Sequence, residues 1–171
     1  MQYIVKTLGG QSLTQTPSQT TIAQMAYELG VLCLIQLGDF LLSHSNLCLS
    51  WDATSLDGSH INEIHVTADQ TQCMTIDIKA LPGGTAQDYT THVVTAVNDA
   101  SATYSRYHSI PEVEVSAKMF QAMTSTVTDR ATVNHVTVVK LQEALGSQLL
   151  ELNCKCNVRG SFSWIHPRNS A

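Results

Sequence analysis

The stretch "NLCLSWDATSLDGSHINEIHVTADQTQCMTIDIKA", residues 46–80, decides the fold. Apolar and polar residues alternate in three separate runs. Leu47, Leu49 and Trp51 oppose Cys48 and Ser50; Ile64 and Val66 oppose Glu63 and His65; Met74, Ile76 and Ile78 oppose Thr75, Asp77 and Lys79. A period of two is that of a half-buried β-strand. The links at residues 55–59 and 69–71 are short, so the runs are expected to pair as a three-strand antiparallel meander. The first strand ends in two acids, Asp52 and Asp57. Gly58 after Asp57 marks that acid as hairpin-turn chemistry and leaves Asp52 as a strand-end carboxylate.

On the N-terminal side, residues 1–19 are expected to be a disordered leader, because 8–19 hold Gly, Ser, Thr, Gln and Pro with little to bury. Residues 20–45 read as a helical pair. Thr21 and Gln24 stand at capping-box spacing, Ile22, Met25, Ala26 and Leu29 at helical spacing, and Gly30 reads as a stop before a second apolar helix over 31–42. On the C-terminal side, "LPGGT" supplies a turn with Thr85 as N-cap and Asp88 three residues on, opening a helix to about Ala102. A short helix and a strand ending near Thr128 follow. Next comes a helix with Asp129 at its head and Val138, Leu141, Leu145 and Leu149 along one face. "ELNCKCNV" reads as a last short strand, and residues 158–171 as an irregular tail. A meander followed by alternating helices and strands predicts an α/β class of the α+β, mixed-sheet kind with helices packed on it.

The chain has 171 residues, enough for one domain with a real core. Only 13% of residues are charged, the net charge is −5, and no stretch collects Lys or Arg. Autonomous nucleic-acid binding normally needs a basic surface, so DNA contact is expected only in the context of a longer protein. Five cysteines form no even framework; Cys33, Cys48 and Cys73 sit in apolar runs and read as small core residues. With no signal-peptide pattern, no glycosylation sequon and no evident apolar run of about 18 residues, the reading is nuclear or cytoplasmic, not secreted and not membrane-bound.

"SWDATSLDGSHINEIHV", "ALPGGTAQDY" and "STVTDRATVNHVTVVKLQEAL" resemble a set of transposon-derived animal proteins with a DDE-type transposase core, and more distantly hAT-like cut-and-paste transposases. The resemblance covers about residues 20–153. It implies a ribonuclease H-like fold, partial over 46–157, in which carboxylates from separate strands converge on metal ions. It makes Asp52 and Asp129 the first and second metal-binding carboxylates, with Mg²⁺ or Mn²⁺ as cofactor. Such chemistry wants oxygen ligands that clamp both the attacking and the leaving oxygen of a phosphodiester. The bland alternatives are a strand-end residue for Asp52 and a helix N-cap for Asp129. Asn134 and His135, one turn into the helix, either face the same cleft or are solvated and capping residues.

The pattern departs from what catalysis needs. A third carboxylate is expected on a helix after the last core strand, but no Asp or Glu follows Glu151, and Glu143 lies before that strand. The ending "KCNVRGSFSWIHPRNSA" reads as a truncation, an alternative exon or a decayed copy. The expectation is therefore a transposase-like protein, ancestrally cleaving and transferring DNA strands, without turnover as this chain. The alternative is a non-enzymatic protein–protein interaction module on the same fold, its partner a second copy or a related transposase. Cys154, Cys156 and His166 make a zinc half-site short of the usual four ligands, and "LPGGT" lacks the Gly-Lys-Ser/Thr ending of a phosphate loop.

Overall fold

The computed structural model describes residues 17–69 and 72–153. The expected last-strand residues beyond 153, the leader before 17, the Cys154–Cys156 motif and the tail lie outside them. The chain divides into two compact units between Cys33 and Leu34.

Among the described residues there are four helices and five strands. They are α1 (Gln19–Ser43), β1 (Leu47–Leu56), β2 (Ser59–Ala68), β3 (Gln72–Leu81), α2 (Ala86–His108), α3 (Glu112–Ala122), β4 (Met123–Thr128), α4 (Thr132–Leu145) and β5 (Leu150–Asn153). The strands form one mixed sheet in the order β3-β2-β1-β4-β5. β1, β2 and β3 are the expected antiparallel meander, and β4 runs parallel to both β1 and β5. Parallel neighbours need a crossover, which α2 with α3, and then α4, provide.

Local chemistry accounts for the joints. Asp57 (φ 50°) and Gly58 (φ 77°) are both left-handed, the two-residue turn that matches strand twist in a hairpin. Thr85 and Asp88 complete a full capping box at the head of α2, and Ser109 in the left-handed region closes that helix just before Pro111.

The core belongs to one face of the sheet. Leu47, Leu49 and Trp51 of β1 and Ile64, Val66 and Ala68 of β2 are buried with Val93, Val97 and Ala100 of α2, Met119 of α3, and Val138 and Leu141 of α4. Each fully buried aliphatic side chain stabilises the fold by about 1.5–3 kcal/mol. The end of α1 joins this core through Leu37 and Leu41. At Gly38 a Cβ would fall 2.4 Å from the Tyr104 ring, so only glycine lets the two helices approach this closely.

Four expectations need correction. Residues 20–45 are not a helical pair: α1 runs unbroken through Gly30, because one glycine costs a helix roughly 1 kcal/mol and does not end it. That continuity makes α1 long and apolar enough to cross a membrane, with most of the stretch unburied, although Gln24, Glu28, Gln36 and Asp39 interrupt the run. Cys33 and Cys73 are exposed and Cys48 half-buried, so none is a core residue. Leu149 lies beyond the end of α4 at Leu145, although it is buried.

The alternation in β3 also fails halfway. A register shift opposite Ile64/His65 lets Ile64 pair with Asp77 and His65 with Thr75. The inserted residue turns Asp77 to the core face and leaves Ile78, 58% exposed, on the other.

Candidate functional site

β1 and β4 position the two predicted carboxylates. Leu49 pairs with Thr126 and Ser50 with Val127. Carried two residues further, the same register sets Asp129, which follows the end of β4, abreast of Asp52. Asp52 is not the expected strand-end residue: β1 continues to Leu56 and Asp52 pairs with Glu63 of β2, whereas Asp129 follows the last residue of β4. Both are exposed. Among the described residues, Asp52 Oδ1 accepts only the N–H of its own neighbour Ala53, at 2.8 Å.

Asp129 is held more firmly. Its Oδ1 accepts from Ala131 N at 2.9 Å and from Asn134 Nδ2 at 2.6 Å. Ala131, not Asp129, is the N-cap of α4, and it makes no side-chain cap bond. Asn134 is buried, and its Oδ1 accepts from Trp51 Nε1 at 2.8 Å. An indole nitrogen can only donate, so Trp51 fixes which way the amide points, and the amide nitrogen must face Asp129. Asp129 thus presents Oδ2 as its uncommitted oxygen. Trp51 is the residue before Asp52, so one indole–amide bridge ties β1, α4 and the end of β4 together.

His135 turns elsewhere. Its Nδ1 lies 2.7 Å from Glu151 Oε2, and an ionised carboxylate there accepts the ring proton. This pair lines an open cleft of about 380 Å³ with Arg130 and Ala131. Asn134 joins Asp129 directly, whereas His135 is committed to Glu151.

A second cluster stands at the head of α2. Tyr89 Oη and His60 Nε2 lie 2.6 Å apart, and a Cβ at Gly84 would fall 3.0 Å from the His60 ring and 3.3 Å from the Tyr89 hydroxyl. Burial first, then the negative charges of Asp52, Asp88 and Asp129, hold the Tyr89 hydroxyl above its ordinary range. All three carboxylates therefore act on one hydroxyl. Asp88 is bound to its helix cap: Oδ2 accepts from Thr85 N at 3.1 Å and from Thr85 Oγ1 at 2.7 Å. The Thr85 hydroxyl, then the Thr85 N–H, draw its pKa below the usual carboxylate value.

Deeper in the sheet, His92 Nε2 lies 2.9 Å from Asp77 Oδ2 and its Nδ1 2.9 Å from Asn62 Nδ2. With Asp77 accepting from Nε2–H, Nδ1 accepts from the Asn62 amide, and the buried Asn62 Oδ1 has no partner among the described residues.

A divalent cation tests poorly against these residues. Among the described residues no group of three or more His, Cys, Asp or Glu side chains could hold a metal ion. Asp52 and Asp129 offer one uncommitted oxygen each, while Mg²⁺ demands near-octahedral oxygen coordination and two-metal chemistry demands bridging ligands. The donor set that the described residues supply does not fit a catalytic metal centre.

Trp51, Tyr89, His60, Asp88 and Glu151 carry no local motif that assigns them to this region. Strand alternation makes Trp51 legible as an apolar residue and capping-box spacing does the same for Asp88, and both signals point to structure. No protein-family model matches the chain, and no curated protein matches it.

Proposed function

We propose that this chain is a ribonuclease H-like core of transposon origin that retains Asp52 and Asp129 from an ancestral metal-dependent DNA strand-cleavage site and no longer turns over. The observation that carries the reading is the β1–β4 register, whose last pair is Ser50 and Val127 and beyond which Asp52 and Asp129 each follow by two residues on adjacent central strands. The strand order β3-β2-β1-β4-β5, with an antiparallel meander and two parallel additions, supports it. So do the crossing helices, which bring Tyr89 and Asn134 to the same region. The acids are then a relic whose remaining oxygens hold Mg²⁺ or Mn²⁺ weakly and without catalysis, and the chain works inside the cell as a binding module rather than as a nuclease.

Two measurements test this. Thermal unfolding with and without millimolar Mn²⁺ should show a small rise in melting temperature for the wild type that Asp52→Asn and Asp129→Asn each remove. Equal responses from all three proteins would eliminate the ancestral metal pair. Supercoiled DNA incubated with the protein and Mn²⁺ should remain intact, and nicking that depends on Asp52 would overturn the loss of turnover.

A further inference from the structure

The polar chain between α2 and the β2–β3 hairpin holds a buried histidine. The His92 side chain is 1% exposed, with Nε2 2.9 Å from Asp77 Oδ2 and Nδ1 2.9 Å from Asn62 Nδ2. Asp77 is pinned through both oxygens: Oδ1 accepts from the N–H of Ile78 at 2.9 Å while Oδ2 accepts from the ring. An ionised carboxylate only accepts, so Nε2 carries the proton of the neutral ring and Nδ1 accepts from the Asn62 amide. Asn62 is wholly buried, and its oxygen has no partner among the described residues.

A second proton on this ring can settle only on Nδ1. There it points an N–H at the amide N–H of Asn62, and two donors meet face to face. Neither the ring nor Asp77 can turn away without breaking the bond between them. Asn62 can: half a turn about its last side-chain bond exchanges Nδ2 for Oδ1, and the idle oxygen then accepts from Nδ1–H. The imidazolium lies between a carboxylate and an amide oxygen in charge-assisted hydrogen bonds, with its charge balanced by Asp77.

The surroundings leave Asp77 as its counter-charge. The other charged group on β3 is Lys79, exposed and in register with Asn62. β2 adds His60, which is held by Tyr89 Oη, and β1 sets the uncharged Ala53 beside Asn62. On α2 itself Asp88 and Tyr89 stand one turn earlier, the first bound to Thr85 and the second to His60.

We propose that His92 and Asn62 form a proton-driven switch in the seat of α2: protonation of the ring turns the amide over and reverses the direction of the hydrogen bond between helix and sheet. Asp77, its side chain 43% exposed, is the link to solvent. This reading does not depend on Asp52 or Asp129.

Heteronuclear NMR of the nitrogen-labelled full chain across the histidine range, about pH 5 to 8, tests it. At the alkaline end His92 Nδ1 should give the signal of an unprotonated, accepting nitrogen, and at the acid end both ring nitrogens should carry protons. The Asn62 side-chain amide signals should shift with the same midpoint as the ring. His92→Gln should abolish that shift, and His60→Gln should leave it in place. If His92→Gln fails to fold, the two midpoints in the wild type still decide. Asn62 signals that stay constant while His92 titrates overturn the proposal. So do Asn62 signals that follow His60 instead, or a His92 ring that takes up no second proton over the range.

Discussion

Two polar bridges cross from helix to sheet, and they are built to different standards. At α4, Trp51, Asn134 and Asp129 form a chain in which the indole donor dictates the amide orientation, and both amide atoms are paired. At α2, Asn62, His92 and Asp77 form a chain of similar length, yet one buried amide oxygen is left without a partner. The first bridge ends on an exposed acid beside Asp52; the second ends on an acid that a strand bulge turned inward. A buried amide with every atom satisfied specifies one geometry, whereas one with an orphaned oxygen secures position at lower stability. The fold is therefore most sharply defined at the predicted acids, even though the donor set there does not suit catalysis.

The largest expected effect tests that contrast directly. Asn134→Leu should cost roughly 2–4 kcal/mol in urea unfolding, because Trp51 Nε1–H stays buried with no acceptor while Asp129 loses a donor. Asn62→Ala should cost less, roughly 1–2 kcal/mol, since it removes an unsatisfied oxygen along with one hydrogen bond. Equal losses would erase the distinction between the two bridges. Asp77→Asn should cost less than about 1 kcal/mol, because its side chain is 43% exposed and water replaces much of the contact.

Two pH effects complete the series. Asp88 has its folded pKa lowered, so its contribution is present above the unfolded carboxylate value and fades as the pH falls through the folded one. Wild type should lose more stability than Asp88→Asn on acidification below the ordinary carboxylate range. Tyr89 has its folded pKa raised, chiefly by burial; its contribution is complete below the unfolded phenol value and fades as the pH rises through the folded one. Tyr89→Phe should flatten the alkaline end of the stability profile, and an unchanged alkaline limb would separate Tyr89 from the acidic cluster.

What the chain announces in advance follows the range of the interaction responsible. The Asp57–Gly58 turn and the Thr85–Asp88 capping box are contacts within a few residues, so type and spacing reveal them. The meander, the short α3 and the end of β4 at Thr128 follow from periodicity. The bulge in β3 does not, because it is a mismatch between two strands and leaves no mark on either alone; Asp77 therefore reads as an outward residue until β2 is beside it. Gly30 misleads because a local breaker is overridden by a helix anchored at its far end. Asn134 and His135 read alike from their position, as cleft residues or as solvated and capping ones, yet the two part company, one to Trp51 and Asp129, the other to Glu151 sixteen residues on. Helical spacing brings them near one end of α4 and says nothing of which strand each will meet.

The Trp51–Asn134 bridge also bears on how this chain can change over generations. Trp51 must point inward for the fold, and strand alternation then forces residue 52 outward beside position 129, whatever residue 52 is. Position is inherited from the core, while identity is not, since among the described residues Asp52 bonds only to its own neighbour. On the proposed reading, a lineage that keeps folding keeps the place of a former ligand long after selection has stopped caring what occupies it. Drift at 52 against constancy at 51 and 134 would then date the loss of that proposed chemistry without disturbing the shape.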